Sequence, residues 1–334
     1  NSTTELNIAE NQPIGTIVGE FNATDPEGGV ITYSLVRGEG ELDNILFTLD
    51  TNGTLKTATT FDYESNASTY TITVQARDEF NATLEGNFTV TLTDDIYEDT
   101  DGDGFSDAEE ISAGTNPNDV NNKPGLDFGL VAWYPFDGNA SDMSGNGNHG
   151  TVHGATLGTD RHGQDGKAYQ FDGVDDYIEF SHSSNLSLLE FTVSLWVQPQ
   201  SSGLVRPILM KDRHVGNNYG FWLDHNSKVF AQFYPSSGSA FSIRHEDFLS
   251  LDDYFFLSTT FSGNKLRIYL NGAKEASILT TESPGLDSEP LFIGYDGGHG
   301  YGNFHGLIDD IRIYNRAFSA DEIASLYELE APRN

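Results

Sequence analysis

Hydrophobic and polar residues alternate along most of the chain. In its first part the alternation is clearest in the runs 31–35, 70–76 and 88–92, and turn signals stand at Pro26 to Gly29 and at Asn52-Gly53. A period of two places one face of a strand on a core and the other face in water. About 90 residues of this pattern predict a sandwich of seven strands.

The second part of the chain resumes the strand pattern and ends in a helix. Asn271-Gly272 is a hairpin signal, and Ser319 with Glu322 forms the capping box of the closing helix. Phe318 and Ile323 are spaced for a hydrophobic staple, so we expect this helix to pack on a sheet. The strands predicted here are Leu130–Phe136, Phe191–Gln198, Tyr219–Asp224, Phe255–Thr260, Lys265–Leu270 and Gly306–Tyr314.

The charge balance narrows the possible partners. The 334 residues include 51 acidic and 17 basic ones, a formal net charge of −34. Nucleic acids and anionic membrane surfaces need a basic face, so neither is expected as a partner. Calcium is compatible with this charge, because carboxylate oxygens are the ligands that it prefers. Solubility in a salty habitat is the alternative explanation.

The composition also excludes every site that depends on cysteine. The chain has no cysteine, so disulfides, thiolate metal sites and cysteine catalysis are ruled out. No apolar run reaches the ~18 residues that a membrane span needs, and direct membrane insertion is not expected.

An acidic run extends from Asp94 to Glu110 and holds nine acidic residues and no basic one. Such a run repels itself unless a cation lies within it. Residues 99–110 fit the twelve-position, EF-hand-like calcium loop, in which Gly104 permits the sharp turn. An acidic solvated linker is the alternative. The ligands expected from the loop are Asp99, Asp101, Asp103, the carbonyl of Phe105, Asp107 and Glu110.

Residues 99–119 resemble the bacterial thrombospondin type 3 repeat. The resemblance rests on the acidic loop followed by Gly114, Thr115, Asn116 and Pro117. It implies a rigid, calcium-dependent spacer rather than a sensor that opens on binding. It also adds Asn116 and Asp119 as candidate ligands.

The first part of the chain resembles a cadherin repeat, and an immunoglobulin-like sandwich with ordinary surface acids is the alternative. The resemblance implies that Glu10, Asp62, Glu64 and Asp78 meet at the C-terminal end of the sandwich and bind calcium there. The family's linker pattern adds Asp94 and Asp95 as ligands. The matching stretches are Ala9-Glu10-Asn11, Thr24 to Glu27, Phe61 to Glu64 and Ala76-Arg77-Asp78.

Residues 128–329 resemble the laminin G-like, concanavalin A-like jelly roll. The resemblance predicts the fold of this part and, because the family includes binding modules, adhesion domains and spacers, leaves the function open. Together the three resemblances predict an all-β chain: a cadherin-like domain at 1–96, a calcium-binding linker at 97–126 and a jelly roll with a short C-terminal helix at 127–334. The matching stretches are Leu130 to Gly138, Asp142 to Thr151, Phe171 to Ile178, Leu270 to Gly272 and Leu307 to Arg316.

A further calcium site is expected in the jelly roll, since its terminal strands lie side by side in this fold. Surface turns with side-chain hydrogen bonds are the alternative. The candidate ligands are Asp137, Asp142, Asn146, Asp309 and Asp310.

A glycine-rich segment at 294–306 is the expected ligand-binding loop. Aromatic rings there can stack on sugar rings while polar groups bond hydroxyls. Lys211 and Arg213, on another predicted loop, are placed for a carboxylate or sulfate of an acidic glycan. Tyr219 and Trp222 are expected in the core. The candidates in the glycine-rich segment are Tyr295, His299, Tyr301, Asn303 and His305.

No catalytic motif is found, so an enzyme is not expected. The two-carboxylate strand of jelly-roll glucanases, His-Glu-x-x-His and Gly-x-Ser-x-Gly are all absent. The sequence predicts a monomeric fragment of a bacterial surface or secreted protein that binds several calcium ions. Its expected partner is a polysaccharide, a cell-surface glycan or another surface protein. A non-catalytic region of a polysaccharide-degrading enzyme and a structural stalk remain alternatives.

Overall fold

The predicted all-β architecture is confirmed by a computed structural model, which describes residues 5–37, 43–211, 218–236, 239–286, 288–295 and 301–332. The chain divides into two compact units, Asn1–Pro124 and Gly125–Asn334. Each unit is described by itself.

Among the described residues of the first unit, seven strands form a sandwich. One sheet has the order β1-β7-β6-β3, with β1 parallel to β7, and the other has the order β2-β5-β4. The inward residues of both sheets, such as Leu55, Ile72 and Val90, are fully buried. The strands are β1 (Leu6–Ala9), β2 (Ile17–Glu20), β3 (Thr32–Leu35), β4 (Phe47–Leu49), β5 (Thr54–Thr57), β6 (Thr69–Arg77) and β7 (Thr83–Thr93), with a 3-10 turn at Asn44–Leu46.

A short helix, α1 (Asp107–Ala113), follows the acidic run in the first unit. It begins at Asp107, because Ser106 and Glu109 form a capping box. It ends at Gly114, which adopts a φ of 77° and satisfies the last carbonyls of the helix.

Two large sheets form the jelly roll of the second unit. The larger has the order β10-β11-β22-β13-β18-β19-β20, with β8 also paired to β22, and the smaller has the order β17-β16-β15-β14-β21-β12-β9. The strands are β8 (Leu130–Tyr134), β9 (Gly150–His153), β10 (Thr156–Thr159), β11 (Asp165–Asp172), β12 (Tyr177–Phe180), β13 (Phe191–Pro199), β14 (Arg206–Lys211), β15 (Tyr219–Leu223), β16 (Lys228–Phe233), β17 (Phe241–Phe248), β18 (Phe255–Ser262), β19 (Lys265–Leu270), β20 (Ala273–Leu279), β21 (Leu291–Ile293) and β22 (His305–Tyr314), with a 3-10 turn at Ser184–Leu186.

The six strands predicted in this unit are present, with ends that differ by up to two residues. The first of them stops at Tyr134 rather than Phe136, because Phe136 has a φ of 54° and its carbonyl accepts a turn hydrogen bond from Gly138. Asn271 and Gly272 have φ values of 49° and 79° between the paired strands β19 and β20. The predicted hairpin is therefore confirmed.

The closing helix, α2 (Ala320–Glu330), covers the larger sheet on the side away from the core between the two sheets. Ser319 and Glu322 form the predicted capping box. Ile323 and Leu326 are fully buried against a group that includes Trp196 and Phe318. The predicted packing of this helix on a sheet is confirmed.

A buried network of charges ties α2 and the β10–β11 turn to β22. Arg161 bonds the carboxylates of Asp309 (2.5 Å) and Asp310 (2.9 Å) and donates to the carbonyl of Glu330 (2.8 Å). Arg312 lies 3.0 Å from the Glu330 carboxylate, which also accepts from the Trp196 indole at 2.8 Å. Removing one partner from such a group leaves an uncompensated buried charge.

We predict that Arg161→Met destabilises the jelly roll by about 3–5 kcal/mol, because Asp309 would stay buried without its cation and Asp310 would keep only Arg312, at 3.5 Å. All three tryptophans of the chain lie in this unit, so tryptophan fluorescence during urea denaturation measures its free energy of unfolding. Arg267→Met removes the same charge from a half-buried position and is the control. Equal effects of the two substitutions would contradict the assigned role of Arg161.

Candidate calcium centre and ligand face

Three carboxylates converge in the calcium loop, which we define as residues 99–110. One oxygen from each of Asp99, Asp101 and Asp103 lies within 4.8 Å of the others. The loop folds around Asp99, whose carboxylate accepts backbone hydrogen bonds from Gly102 (2.9 Å), Asp103 (3.1 Å) and Gly104 (2.9 Å). Gly104 has a φ of 100°, as the sharp turn requires.

Four carboxylate oxygens of the calcium loop are buried without a hydrogen-bond donor. They are one oxygen of Asp101, one of Asp103 and both of Glu110. Glu110 is fully buried at the start of α1, and burial raises its pKa, as do the charges of Asp103 and Asp101. Buried carboxylate oxygens are costly without a partner. This oxygen set fits a calcium ion, which needs several such ligands.

Asp107 does not join the other expected ligands of the loop. Its two oxygens accept from the backbone nitrogen (3.1 Å) and the hydroxyl (2.7 Å) of Thr100. Its carboxylate instead lies within 4.8 Å of those of Glu64 and Asp94. The carboxylate of Asp107 therefore lies apart from those of Asp99, Asp101 and Asp103, and its role as a calcium ligand, directly or through water, stays a prediction. The Phe105 carbonyl remains a predicted ligand, next to a backbone nitrogen that donates to Asp103 at 3.0 Å.

A second set of carboxylates lies at the end of the sandwich where β1 and β7 finish, and we call it the sandwich-end group. Glu10 is its buried centre: one oxygen accepts from the backbone nitrogen of Asp95 (2.6 Å) and the other from that of Tyr63 (2.7 Å). Asn11 donates to the carboxylate of Glu98 at 2.6 Å. The members are Glu10, Glu64, Asp94, Glu98 and Asp107.

Burial and the neighbouring negative charges raise pKa values in the sandwich-end group. Burial, together with the charges of Glu10, Asp94 and Glu98, raises the pKa of Glu64 to about 7. The pKa values of Asp94 and Glu98 are raised for the same reasons. A carboxyl with a raised pKa in the folded state makes the fold less stable as the pH rises through that range. Near neutral pH, ionisation of this group therefore costs stability unless a cation lies among its carboxylates.

Two of the four carboxylates expected at this end are not part of the group. Asp62 lies in the same loop as Tyr63, but its carboxylate accepts from the backbone and hydroxyl of Ser65. Asp78 follows β6, whose nine residues span about 30 Å, and it closes the turn at Ala82 beside Asp25 at the opposite end. The expected meeting of all four carboxylates is wrong for these two.

Glu98 is the member of the group that the sequence analysis missed, although its place in the acidic run was the available signal. Asp95 donates to Glu10 and accepts from Tyr97 within its own turn. Asn116 and Asp119 are exposed and accept hydrogen bonds from residues two positions on, outside both carboxylate groups.

The calcium site expected in the jelly roll is not assembled. Asp309 and Asp310 bind Arg161, and Asp137 lies 3.1 Å from the ammonium of Lys167. Asp142 accepts backbone hydrogen bonds from Trp133, Ser144 and Asn148, and Asn146 donates to the carbonyl of Val131. Burial alone would raise the pKa of Asp142, but these hydrogen bonds lower it. The alternative of side-chain hydrogen bonds in turns explains Asp142 and Asn146.

A different acidic group, Asp172, Asp175 and Asp176, lies on the β11–β12 turn of the jelly roll, with oxygens within 4.8 Å of one another. The Asp172 carboxylate accepts from the backbone nitrogen of Val174, and that of Asp176 accepts from the nitrogen of Asp172. These bonds close the turn.

The expected ligand-binding residues have different surroundings. Tyr301 is 53% exposed, and its ring meets that of Trp222 edge-on at 5.3 Å. Tyr295 is half-buried and stacks on Tyr177 at 4.9 Å. Asn303 donates to the carbonyl of Val174 at 2.9 Å. His299 and Arg213 lie outside the described residues.

Two of the remaining candidates are not exposed side chains on a loop. Lys211 is fully buried and donates to the carbonyl of Glu289 at 2.6 Å, so its expected contact with a glycan is wrong for this conformation. His305 begins β22 and pairs with Asp172.

Aromatic rings line the face of the smaller sheet that points away from the core, which we call the outer face. Trp222 and Phe230 are cross-strand neighbours with parallel rings 5.9 Å apart. Tyr177 stacks on His153 at 4.3 Å, and Phe292 pairs with Met210 between the two aromatic pairs. The sequence analysis placed Trp222 in the core, and it is indeed buried, yet on this outer face. Its indole nitrogen has no hydrogen-bond acceptor.

Family models match three parts of the chain and confirm the three resemblances. Residues 4–93 match the cadherin domain, residues 99–120 the bacterial TSP3 repeat, and residues 172–324 the concanavalin A-like lectin/glucanases superfamily. These matches support domains of an adhesion or binding type.

Curated cadherin-type relatives match about a quarter of the chain or less. Cadherin-3 of Caenorhabditis elegans is 36% identical over 78 residues, which cover 22% of this chain and 2% of that protein. The desmocollin 2-like protein of Danio rerio is 36% identical over 88 residues, which cover 24% of this chain and 9% of that protein. The chain thus spans a small part of the length of these relatives.

Solved structures resemble the second part. The binding domain of Paraclostridial Mosquitocidal Protein 1 has a TM-score of 0.53 at 18% identity, covering 61% of this chain and 52% of that chain. The receptor-binding domain of a botulinum neurotoxin C/D mosaic serotype has a TM-score of 0.51 at 17% identity, with the same coverage. At these identities the likeness shows the fold alone. No helix among the described residues is long and apolar enough to cross a membrane.

We predict opposite effects of Glu110→Gln with and without calcium. Without calcium the substitution removes a buried, unpaired charge and should raise the melting temperature of the first unit. With calcium it removes ligand oxygens and should lower both the melting temperature and the number of bound ions, measured by calorimetric titration. Glu85→Gln, on β7, makes the same charge change outside the site. An unchanged number of bound ions would contradict the assignment.

Proposed function

We propose that the chain is an extracellular, calcium-dependent binding protein whose jelly-roll unit recognises a polysaccharide. The observation that carries the calcium dependence is the set of four buried carboxylate oxygens without donors in Asp101, Asp103 and Glu110. The sandwich-end group supports a further ion beside it, because Glu64 and its neighbours repel one another near neutral pH. In this proposal calcium orders the first unit, and free calcium is plentiful outside cells.

Recognition of a polysaccharide is supported by the outer face of the jelly roll. Its aromatic rings provide flat apolar surfaces for sugar rings. From Tyr177 on β12 to Phe230 on β16 the sheet spans four strand spacings, about 19 Å. This length favours an oligosaccharide segment over a single sugar. The exposed ring of Tyr301 lies against the same face.

A glycan array tests the proposal. The full chain is applied with calcium and with a chelator, and Glu110→Gln is applied with calcium. The proposal predicts retention on one class of polysaccharide with calcium, and weaker retention after chelation or substitution. Binding to no glycan under any condition would contradict polysaccharide recognition, and equal binding with and without calcium would contradict calcium dependence.

We predict that Tyr301→Ala weakens binding to the retained glycan about tenfold, as removal of a stacked ring costs roughly 1–2 kcal/mol. Because half of this side chain is exposed, the stability of the jelly roll should change little. Tyr295→Ala should instead lower that stability, since its ring packs between Tyr177 and Phe292. Tyr97→Ala is the matched control, because Tyr97 is 81% exposed in the first unit. Wild-type affinity of Tyr301→Ala would contradict this ligand face.

A further inference from the structure

Arg206, at the start of β14, holds a buried positive charge without a counter-charge. Its side chain is 8% exposed, and no carboxylate among the described residues lies within ion-pair distance of it. Burial lowers its pKa, and no neighbouring charge raises it again. Arg161, Arg312 and Arg316, which are buried to a similar degree, all bind carboxylates. An unpaired buried charge is costly, so Arg206 is an exception that needs a reason.

The hydrogen bonds of Arg206 leave one edge of its guanidinium without an acceptor among the described residues. Nη1 donates to the carbonyl of Asn303 and lies beside two glycines: a Cβ on Gly173 would lie 3.0 Å from it, and a Cβ on Gly302 would lie 3.6 Å from it. Nε is buried and has no acceptor. Nη2 has no partner either and reaches solvent. Nε and Nη2 form the fork that binds a carboxylate or sulfate through two parallel bonds.

Arg206 and Trp222 lie on neighbouring strands but start on opposite faces of the smaller sheet. Arg206 pairs with the core residue Leu223, whereas Pro207, which follows it, pairs with Trp222 on the outer face. The segment 301–303 contacts both side chains: Tyr301 packs on Trp222, and the carbonyl of Asn303 accepts from Arg206. The indole nitrogen of Trp222 is a second buried donor without an acceptor. Each of the two side chains therefore has a donor that lacks an acceptor, and the exposed ring of Tyr301 lies in the segment that contacts both.

We propose that Arg206 forms an anion subsite that binds the carboxylate or sulfate group of an acidic polysaccharide, with a sugar ring against the exposed ring of Tyr301. This inference rests on the proposed polysaccharide recognition and adds the chemical class of the ligand. The sequence analysis expected Lys211 to contact the anion, but Lys211 is buried and donates to the carbonyl of Glu289. In this proposal the guanidinium of Arg206 makes the anion contact instead.

Matched polymers test the subsite on the full chain with calcium. Polygalacturonate and its methyl ester differ in carboxylate charge, and dextran sulfate and dextran differ in sulfate charge. The proposal predicts tighter binding to the charged member of at least one pair, weakened by salt. The pair that shows this difference identifies the anion.

Arg206→Met should remove this preference, with a loss of about tenfold or more in affinity for the charged polymer. Arg206→Lys keeps the charge but not the fork and should also bind more weakly. Arg267→Met, on the other sheet, is the control for net charge. Without ligand, Arg206→Met should unfold at the wild-type temperature or above it, because it removes an unpaired buried charge.

Equal binding of charged and uncharged polymers, or no binding of either charged polymer, would overturn the subsite. Wild-type affinity of Arg206→Met for the charged polymer would also overturn it. So would a loss of stability in Arg206→Met as large as that expected for a paired buried arginine. Retention of neutral glycans alone on the array would leave the proposed function in place while this inference fails.

Discussion

Repulsion between carboxylates is the constraint on which the first unit depends. At one end of the sandwich, the buried carboxylate of Glu10 accepts hydrogen bonds from the backbone nitrogens of Tyr63 and Asp95. The same carboxylate lies among Glu64 and Glu98, so the group that fixes the chain also repels its neighbours. Close like charges are tolerated at neutral pH when a cation lies between them. Calcium is therefore part of the proposed account of folding as well as of function.

The sequence predicted the fold well because each unit repeats simple local rules. Alternation identified the strands, Asn271-Gly272 the hairpin, and Ser319 with Glu322 the start of α2. The convergence of Asp99, Asp101 and Asp103 was also predictable, since these residues are close in sequence. The sequence could not show that Asp107 turns toward Glu64, or that nine residues of β6 carry Asp78 to the other end of the sandwich. Those facts depend on tertiary packing.

The partners of charged residues in the jelly roll likewise could not be predicted from the sequence. Asp309 and Asp310 were candidate ligands by residue type, but Arg161 reaches them from a turn 148 residues away in sequence. Three of the buried arginines of this unit are paired, and this background makes Arg206 distinctive. Sequence alone gave no reason to select it. An unsatisfied buried donor becomes visible only when its surroundings are known.

Amide hydrogen exchange of the full chain, with calcium and with a chelator, tests the central claim most directly. If calcium holds the carboxylates of the first unit together, chelation should accelerate exchange in residues 94–115 and at the end of β7. Exchange in β13 of the jelly roll, which lies in the core and carries none of the carboxylates that cluster among the described residues, should stay the same and serves as the internal control. Identical exchange of residues 94–115 in the two conditions would contradict the account.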